Sequence, residues 1–263
     1  MLLCLSAQAF AAWRGHCGNS TIFTRVINGD VAEHGKWPWM VRTNYHNNLS
    51  NPSQYIPWCG GSLISDQWIL SAAHCSHPEI KSVTFGDYNI NEREGTEHIA
   101  NISEHHVHPG YNNTNMRDDI ALLKLSEPLD LIDKHRLFEP ICLPWADTTL
   151  GLGTKCTATG WGSTVAAYYV LSNELQEVEL AIASNSTCNW DAKLIFQQNK
   201  QLCAVNHDSS KHTCKGDSGG PLSCRLGEVG WVLEGVYSWG NCLDNPDVFT
   251  RVSAYIPWIQ RAK

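Results

Sequence analysis

Short runs rich in β-branched and aromatic residues recur along the chain, each closed off by Gly, Pro, Asn or Asp. Examples are GGSLI, QWILSAA, SVTFGDYNI, DIALLKL, KCTATGWG, WVLEGVYSWG and DVFTRVS. Successive side chains on a strand point to opposite faces, so such runs can bury one face while the punctuating residues supply the turns. The spacing predicts an all-β sandwich or barrel and does not fit alternating βαβ units. Only the tail VSAYIPWIQRA carries a helical period, with Tyr255, Trp258 and Ile259 on one side. The segment from Tyr45 to Trp58, with NNLSNPSQYIP at its heart, is polar and Pro-broken and is expected to be an exposed loop. EPICLP, from Glu139 to Pro144, is expected to cross between two halves.

The 263 residues suffice for two small domains or one large β unit, and a 43% hydrophobic content allows a packed core. Net charge is -7 with no Lys/Arg block, which argues against nucleic-acid binding, where clustered cations must meet phosphates. The stretch MLLCLSAQAFAAW is apolar, ends in small residues and is too short to span a bilayer. It reads as a signal peptide over residues 1–12, implying a soluble, secreted product with no membrane segment. Of eleven cysteines, Cys4 falls in that segment and ten remain, an even set that implies disulfides in an exported protein. No CxxC pair occurs, so a structural zinc site is not expected. Sequons stand at Asn19, Asn48, Asn101, Asn112 and Asn185, so a glycoprotein is expected.

GDSGGP, from Gly216 to Pro221, carries the most specific chemistry. A serine nucleophile needs backbone N–H groups aimed at a developing oxyanion, and glycines let the chain take that tight geometry. It also needs a histidine to take its proton and a carboxylate to hold that histidine in one tautomer. SAAHC offers His74, and RDDIALLKL offers Asp118 and Asp119.

These strings, with RVINGD, WPWMV and CGGSLI, occur in the order found in trypsin/chymotrypsin-type serine proteases, which the chain resembles from Arg25 to its end. The resemblance implies two antiparallel six-stranded β-barrels with a C-terminal helix, the first over about 26–140 and the second over about 141–263. It implies a secreted serine endopeptidase with His74 as general base, Asp119 orienting it and Ser218 as nucleophile. The amides of Gly216 and Ser218 would form the oxyanion hole, Ser238 would support the carboxylate, and Trp239 and Gly240 would line the substrate main chain. Asp118 would point the other way on an extended strand, as a solvated neighbour. A precursor would carry an activation segment over residues 13–25, cut between Arg25 and Val26 by a trypsin-like protease. The freed amine of Val26 would then pair with Asp217 and order the oxyanion loop. Implied disulfides are Cys59–Cys75, Cys156–Cys224, Cys188–Cys203 and Cys214–Cys242, with Cys17 and Cys142 tethering the cut segment. Protein or peptide substrates, protein protease inhibitors and a monomeric state are expected.

No cofactor is expected for catalysis. The acidic loop GDYNINEREGTEH resembles the family's calcium loop, with Asp87 and Glu97 as side-chain ligands and Asn89 and Glu92 as carbonyl ligands for a structural Ca²⁺. His105, His106 and His108 form HHVH, whose neighbours strand alternation would split between faces. Pro246 stands where sodium-activated relatives carry Tyr, so no sodium regulation is expected.

The specificity pocket departs from the family pattern. His212, followed by Thr213, stands where trypsin-like members carry Asp, and Asp247 stands where most carry Gly. Gly240 keeps the mouth open, while only Asn241 separates it from Cys242. A His212–Asp247 pair would neutralise the floor and select uncharged side chains such as Leu, Met, Phe or Tyr. The competing expectation is that Asp247 receives a substrate Lys or Arg. A binding protein on a protease scaffold is the alternative to an enzyme.

Overall fold

The computed structural model describes residues 17–20, 30–46, 55–163, 170–189, 196–206, 213–240, 242 and 246–263. Two closed antiparallel barrels divide it. The first is built from β2 (Met40–His46), β3 (Tyr55–Leu63), β4 (Trp68–Ser71), β5 (Ile80–Phe85), β6 (His98–Val107) and β7 (Ala121–Leu125), in the order β2-β3-β4-β7-β6-β5. The second runs β9-β10-β13-β12-β11-β8 and closes through β8–β9. Its strands are β8 (Lys155–Gly160), β9 (Gln176–Ile182), β10 (Gln201–Val205), β11 (Pro221–Arg225), β12 (Trp231–Trp239) and β13 (Asp247–Arg251). Closure removes the unpaired edges that would otherwise invite pairing with other chains. The short β1 (Asp30–Val31) precedes the first barrel in sequence yet pairs with β9 of the second, at Asp30↔Glu177.

Most apolar strand positions are buried, though Ile56 and Trp58 of β3 and Ile99 and Val107 of β6 stay exposed. Ile69, Leu70, Leu122 and Leu125 from β4 and β7 are fully buried in one apolar cluster, and Leu222 and Phe249 in another within the second barrel. Each such side chain contributes about 1.5–3 kcal/mol relative to remaining exposed. Trp37, Trp39 and Trp231 join the halves, with the Trp37 and Trp231 ring centroids 4.9 Å apart. Beside them Lys36 donates to Glu177 Oε1 at 2.8 Å and Trp37 Nε1 to Glu177 Oε2 at 2.7 Å, all three residues being buried. The tail forms a 3₁₀ turn (Val252–Tyr255) and then helix α1 (Ile256–Ala262), which buries Ile256 and Ile259.

The exposed loop expected from Tyr45 to Trp58 is shorter than that. Tyr45 and His46 end β2, and Tyr55 to Trp58 begin β3, paired in register Tyr45↔Ile56. Pro57 sits opposite Asn44 beside an irregularity in that ladder, a place where a missing N–H is tolerated. Asn48 and the rest of residues 47–54 lie outside the described residues, as do residues 1–16 and 21–29 with the expected leader and activation bond.

All five expected disulfides are present: Cys17–Cys142, Cys59–Cys75, Cys156–Cys224, Cys188–Cys203 and Cys214–Cys242.

Candidate active site

His74 sits in a 3₁₀ turn (Ala73–Cys75) directly after β4, and the Cys59–Cys75 bond pins that turn to β3. Its backbone N–H donates to Asp119 Oδ1 at 2.9 Å, and its ring Nδ1 lies 2.8 Å from Asp119 Oδ2. A carboxylate can only accept, so Nδ1 carries the proton and Nε2 is left with its lone pair. Asp119 is wholly buried; Ser238 Oγ donates to its Oδ2 at 2.6 Å, and Thr250 Oγ1 donates to its main-chain oxygen at 2.7 Å. Three hydrogen bonds on one carboxylate offset its removal from water.

Asp118 is not the solvated strand residue expected. It has φ +51° and precedes β7 (Ala121–Leu125), and its side chain is turned into the protein. Its Oδ1 accepts from Lys200 Nζ and, at 2.8 Å, from Tyr255 OH. Burial works to raise its carboxyl, but these donors outweigh it and hold the group below its usual range. The left-handed backbone breaks the alternation on which the expectation rested. Asp118 therefore ties the Asp119 segment to Lys200, just before β10, and to the C-terminal turn.

Ser218 lies in a turn clamped from both barrels. Gly60 N donates to Ser218 O at 2.8 Å, Gly219 N to Tyr237 O at 3.0 Å, and Gly220 N to Asp217 O at 2.8 Å. A Cβ on Gly60 would stand 2.8 Å from Gly220 Cα, so only glycine lets β3 approach the serine turn this closely. A Cβ on Gly219 would stand 2.3 Å from Ser71 Oγ and 3.2 Å from Ala72 N, which places the turn against the chain leading into His74. Among the described residues no hydrogen bond joins His74 to Ser218, and catalytic hydrogen bonds of resting enzymes often tighten only with substrate. None of the turn's internal bonds uses the amides of Gly216, at φ +106°, or Ser218. Asp217 faces away from this surface; its carboxylate accepts from Gly162 N and Cys214 N, both at 2.8 Å, and burial pushes it up to about 6. Arg25 and Val26 lie outside the described residues.

Three residues of the expected pocket meet. Thr213 N donates to Asp247 Oδ2 at 3.3 Å, and a Cβ on Gly240 would stand 2.6 Å from Asp247 Oδ1 and 2.7 Å from Tyr237 OH. Asp247 is only 3% exposed, and its Oδ1 has no hydrogen-bond partner among the described residues. Burial pushes the carboxyl up to about 7, with Thr213 opposing and the charge of Asp217 adding to the rise. His212 and Asn241 lie outside the described residues. Trp239 is buried at the end of β12.

In the acidic loop the carboxylates of Asp87, Glu94 and Glu97 lie within 4.8 Å of one another, a donor set of the hard kind that suits a divalent cation. Glu94 takes a place the sequence reading left out, while Asn89 and Glu92 close a turn in which Glu92 N donates to Asn89 O at 3.0 Å. Arg42 pairs with Asp87 at 2.5 Å and Glu97 accepts from the amides of Glu94 and Gly95, so a cation would share these groups with existing partners. In HHVH, His105 contacts Ser76 Oγ at 2.8 Å and Ile80 O at 2.9 Å while His106 contacts Glu104 at 2.8 Å, which separates them.

Comparison with known proteins agrees with this arrangement. The chain is 35% identical over 256 residues to mouse transmembrane protease serine 7, covering 93% of this chain and 29% of that protein. It is 34% identical over 245 residues to bovine coagulation factor XI, covering 90% of this chain and 38% of that protein. The chain thus spans about a third of the length of these relatives. No helix among the described residues is long and apolar enough to cross a membrane. The family model for trypsin matches residues 26–259, a span that runs through both barrels and takes in His74, Asp119 and Ser218, and the chain belongs to the trypsin family.

Proposed function

We propose that the chain is a serine endopeptidase that hydrolyses peptide bonds of protein substrates through an acyl-enzyme. The observation that carries this reading is the double hold of buried Asp119 on His74, which leaves Nε2 basic beside the serine turn. In this reading His74 takes the Ser218 proton as Oγ attacks the carbonyl carbon, and the amides of Gly216 and Ser218 receive the oxyanion. His74 then protonates the leaving amine, and the same steps with water free the acid. Activation is by a cut at Arg25–Val26, after which the Val26 amine meets Asp217; the enclosed carboxylate supports this, since an ammonium partner would offset its burial. Cys17–Cys142 would keep the cut segment attached. Secretion, an activating trypsin-like protease and recognition by protein inhibitors belong to the same reading. A Ca²⁺ in the acidic loop would be held by Asp87, Glu94 and Glu97 and would act on stability alone.

For the residue before the scissile bond, the sequence expectation of uncharged side chains holds where Asp247 is neutral or paired with His212. A second reading is favoured by Asp247 Oδ1, a buried acceptor with no donor among the described residues. With the carboxyl titrating at about 7, the pocket admits uncharged side chains below that pH and draws Lys or Arg above it.

The test is labelling by a serine-directed phosphonate after cutting at Arg25, with the activating protease inhibited and Ser218→Ala as control. A peptide library is then cut at pH 6 and pH 8. Label on the parent but not the variant is expected, with Lys/Arg cleavage growing at the higher pH. An intact, cut chain that takes no label is instead a binding protein on a protease scaffold.

A further inference from the structure

A cavity of about 850 Å³ opens between α1 (Ile256–Ala262), β12 (Trp231–Trp239) and the segment from Pro140 to Leu150. It shares no residue with the active site or the specificity pocket. Its walls are mainly apolar, with Ile64, Leu143, Leu150, Val232 and Ile259 among them and Ser65, Thr148, Thr149 and Gln260 as uncharged polar members, and Val229 at its edge is 62% exposed. Into this lining reaches Glu234, which is only 2% exposed. Among the described residues its carboxylate makes no hydrogen bond and no ion pair; Arg251 acts on it only at longer range.

A carboxylate buried in a mainly apolar wall without a bonded donor is unfavourable, so a chain that keeps one there gains from a ligand that supplies the donor. The other charged residues lining the cavity are Glu228 and Lys263. Two carboxyl groups against one ammonium leave the lining acidic, and among the described residues Lys263 forms no ion pair with Glu234. The volume matches that of a pocket for a small organic ligand.

We propose that this cavity binds an amphipathic organic cation, its aryl or branched-alkyl body against the apolar walls and its protonated amine or guanidinium on Glu234. The site is independent of peptide hydrolysis and does not rest on that reading. Burial pushes Glu234 up to about 7, against the weak pull of Arg251. A bound cation favours the ionised form, so affinity rises with pH through that value and levels off above it. Of the neighbouring charges, Asp66 acts on Lys263, an exposed residue at the rim of the cavity.

The experiment is calorimetric titration of 2-phenylethylammonium into the full chain carrying Asp247→Asn, so that the carboxyl of the specificity pocket cannot take the amine. 2-Phenylethanol and 3-phenylpropionate serve as neutral and anionic probes of similar size. One phenylethylammonium per chain is expected, tightest at pH 8, with at least a tenfold loss in Glu234→Gln and no change for the alcohol. Val229→Trp, which narrows the mouth at an exposed position, should weaken amine and alcohol alike. Unfolding midpoints of both variants establish that the fold is intact. Absence of amine binding at millimolar concentration, or equal binding to folded Glu234→Gln, overturns the proposal.

Discussion

Replacing Asp247 by asparagine keeps the shape of the side chain and removes its titration. In the folded chain burial holds this carboxyl at about 7, against 3.8 for an exposed aspartate. Between those values the folded protein keeps a proton that the unfolded chain has released. The group's contribution to stability is therefore complete below about pH 4 and is lost as the pH climbs to about 7. At about 1.4 kcal/mol per pH unit across roughly three units, the ionised form costs ~4 kcal/mol by pH 8. Asparagine pays no such cost, so stability of the variant minus that of the parent should rise by ~4 kcal/mol between pH 4 and pH 8. For a domain of this size that is on the order of 10 °C in midpoint temperature. Asp217 and Glu234 are also pushed up by burial, but they occur in both proteins and largely cancel. The measurement is urea unfolding of both proteins at pH 4.5, 6 and 8 in a Ser218→Ala background, which prevents self-digestion. A difference that stays flat within about 1 kcal/mol would refute the reasoning, and would mean that a cation already meets Asp247 in the folded chain.

Ser238→Ala removes the 2.6 Å hydrogen bond to Asp119; kcat should fall roughly tenfold to a hundredfold with KM little changed, read by steady-state hydrolysis of a peptide substrate. Lys36→Met strands the buried Glu177 carboxylate, and denaturant unfolding should show a loss of about 3–5 kcal/mol. Calcium should raise the midpoint temperature of the parent, and Glu97→Gln should abolish that rise, as followed by scanning calorimetry. After cutting at Arg25, the parent should run as one band without reductant and two with it, whereas Cys142→Ser should run as two in both.

The strand runs were legible because an alternating pattern needs only its own residues, and DIALLKL and QWILSAA fall in β7 and β4 as read. The disulfide pairs were legible through family order alone, since ten cysteines by themselves allow many connectivities. What escaped depended on partners far along the chain. Asp118 is turned inward by a left-handed backbone and held by Lys200 and Tyr255, at sequence separations of 82 and 137, which no local pattern announces. Glu94 joins Asp87 and Glu97 because a turn brings it back, although all three carboxylates were visible in the acidic loop. Lys36 meets Glu177 of the other barrel across a sequence separation of 141, a pairing that no local pattern announces.

The sequence by itself determined an all-β chain, because strand periodicity and turn chemistry are local, while the two barrels and the roles of His74, Asp119 and Ser218 were read through the family order of short strings. Only the tertiary structure decided which carboxylates are satisfied. Asp119 has three donors on its side chain, Asp118 two and Asp217 two backbone amides. Asp247 has one amide and an unpartnered oxygen, and Glu234 has no bonded partner among the described residues. Five acidic side chains of near-identical chemistry differ in this way because burial and hydrogen-bond supply are properties of the packed chain, set by residues that folding brings together from distant parts of the sequence.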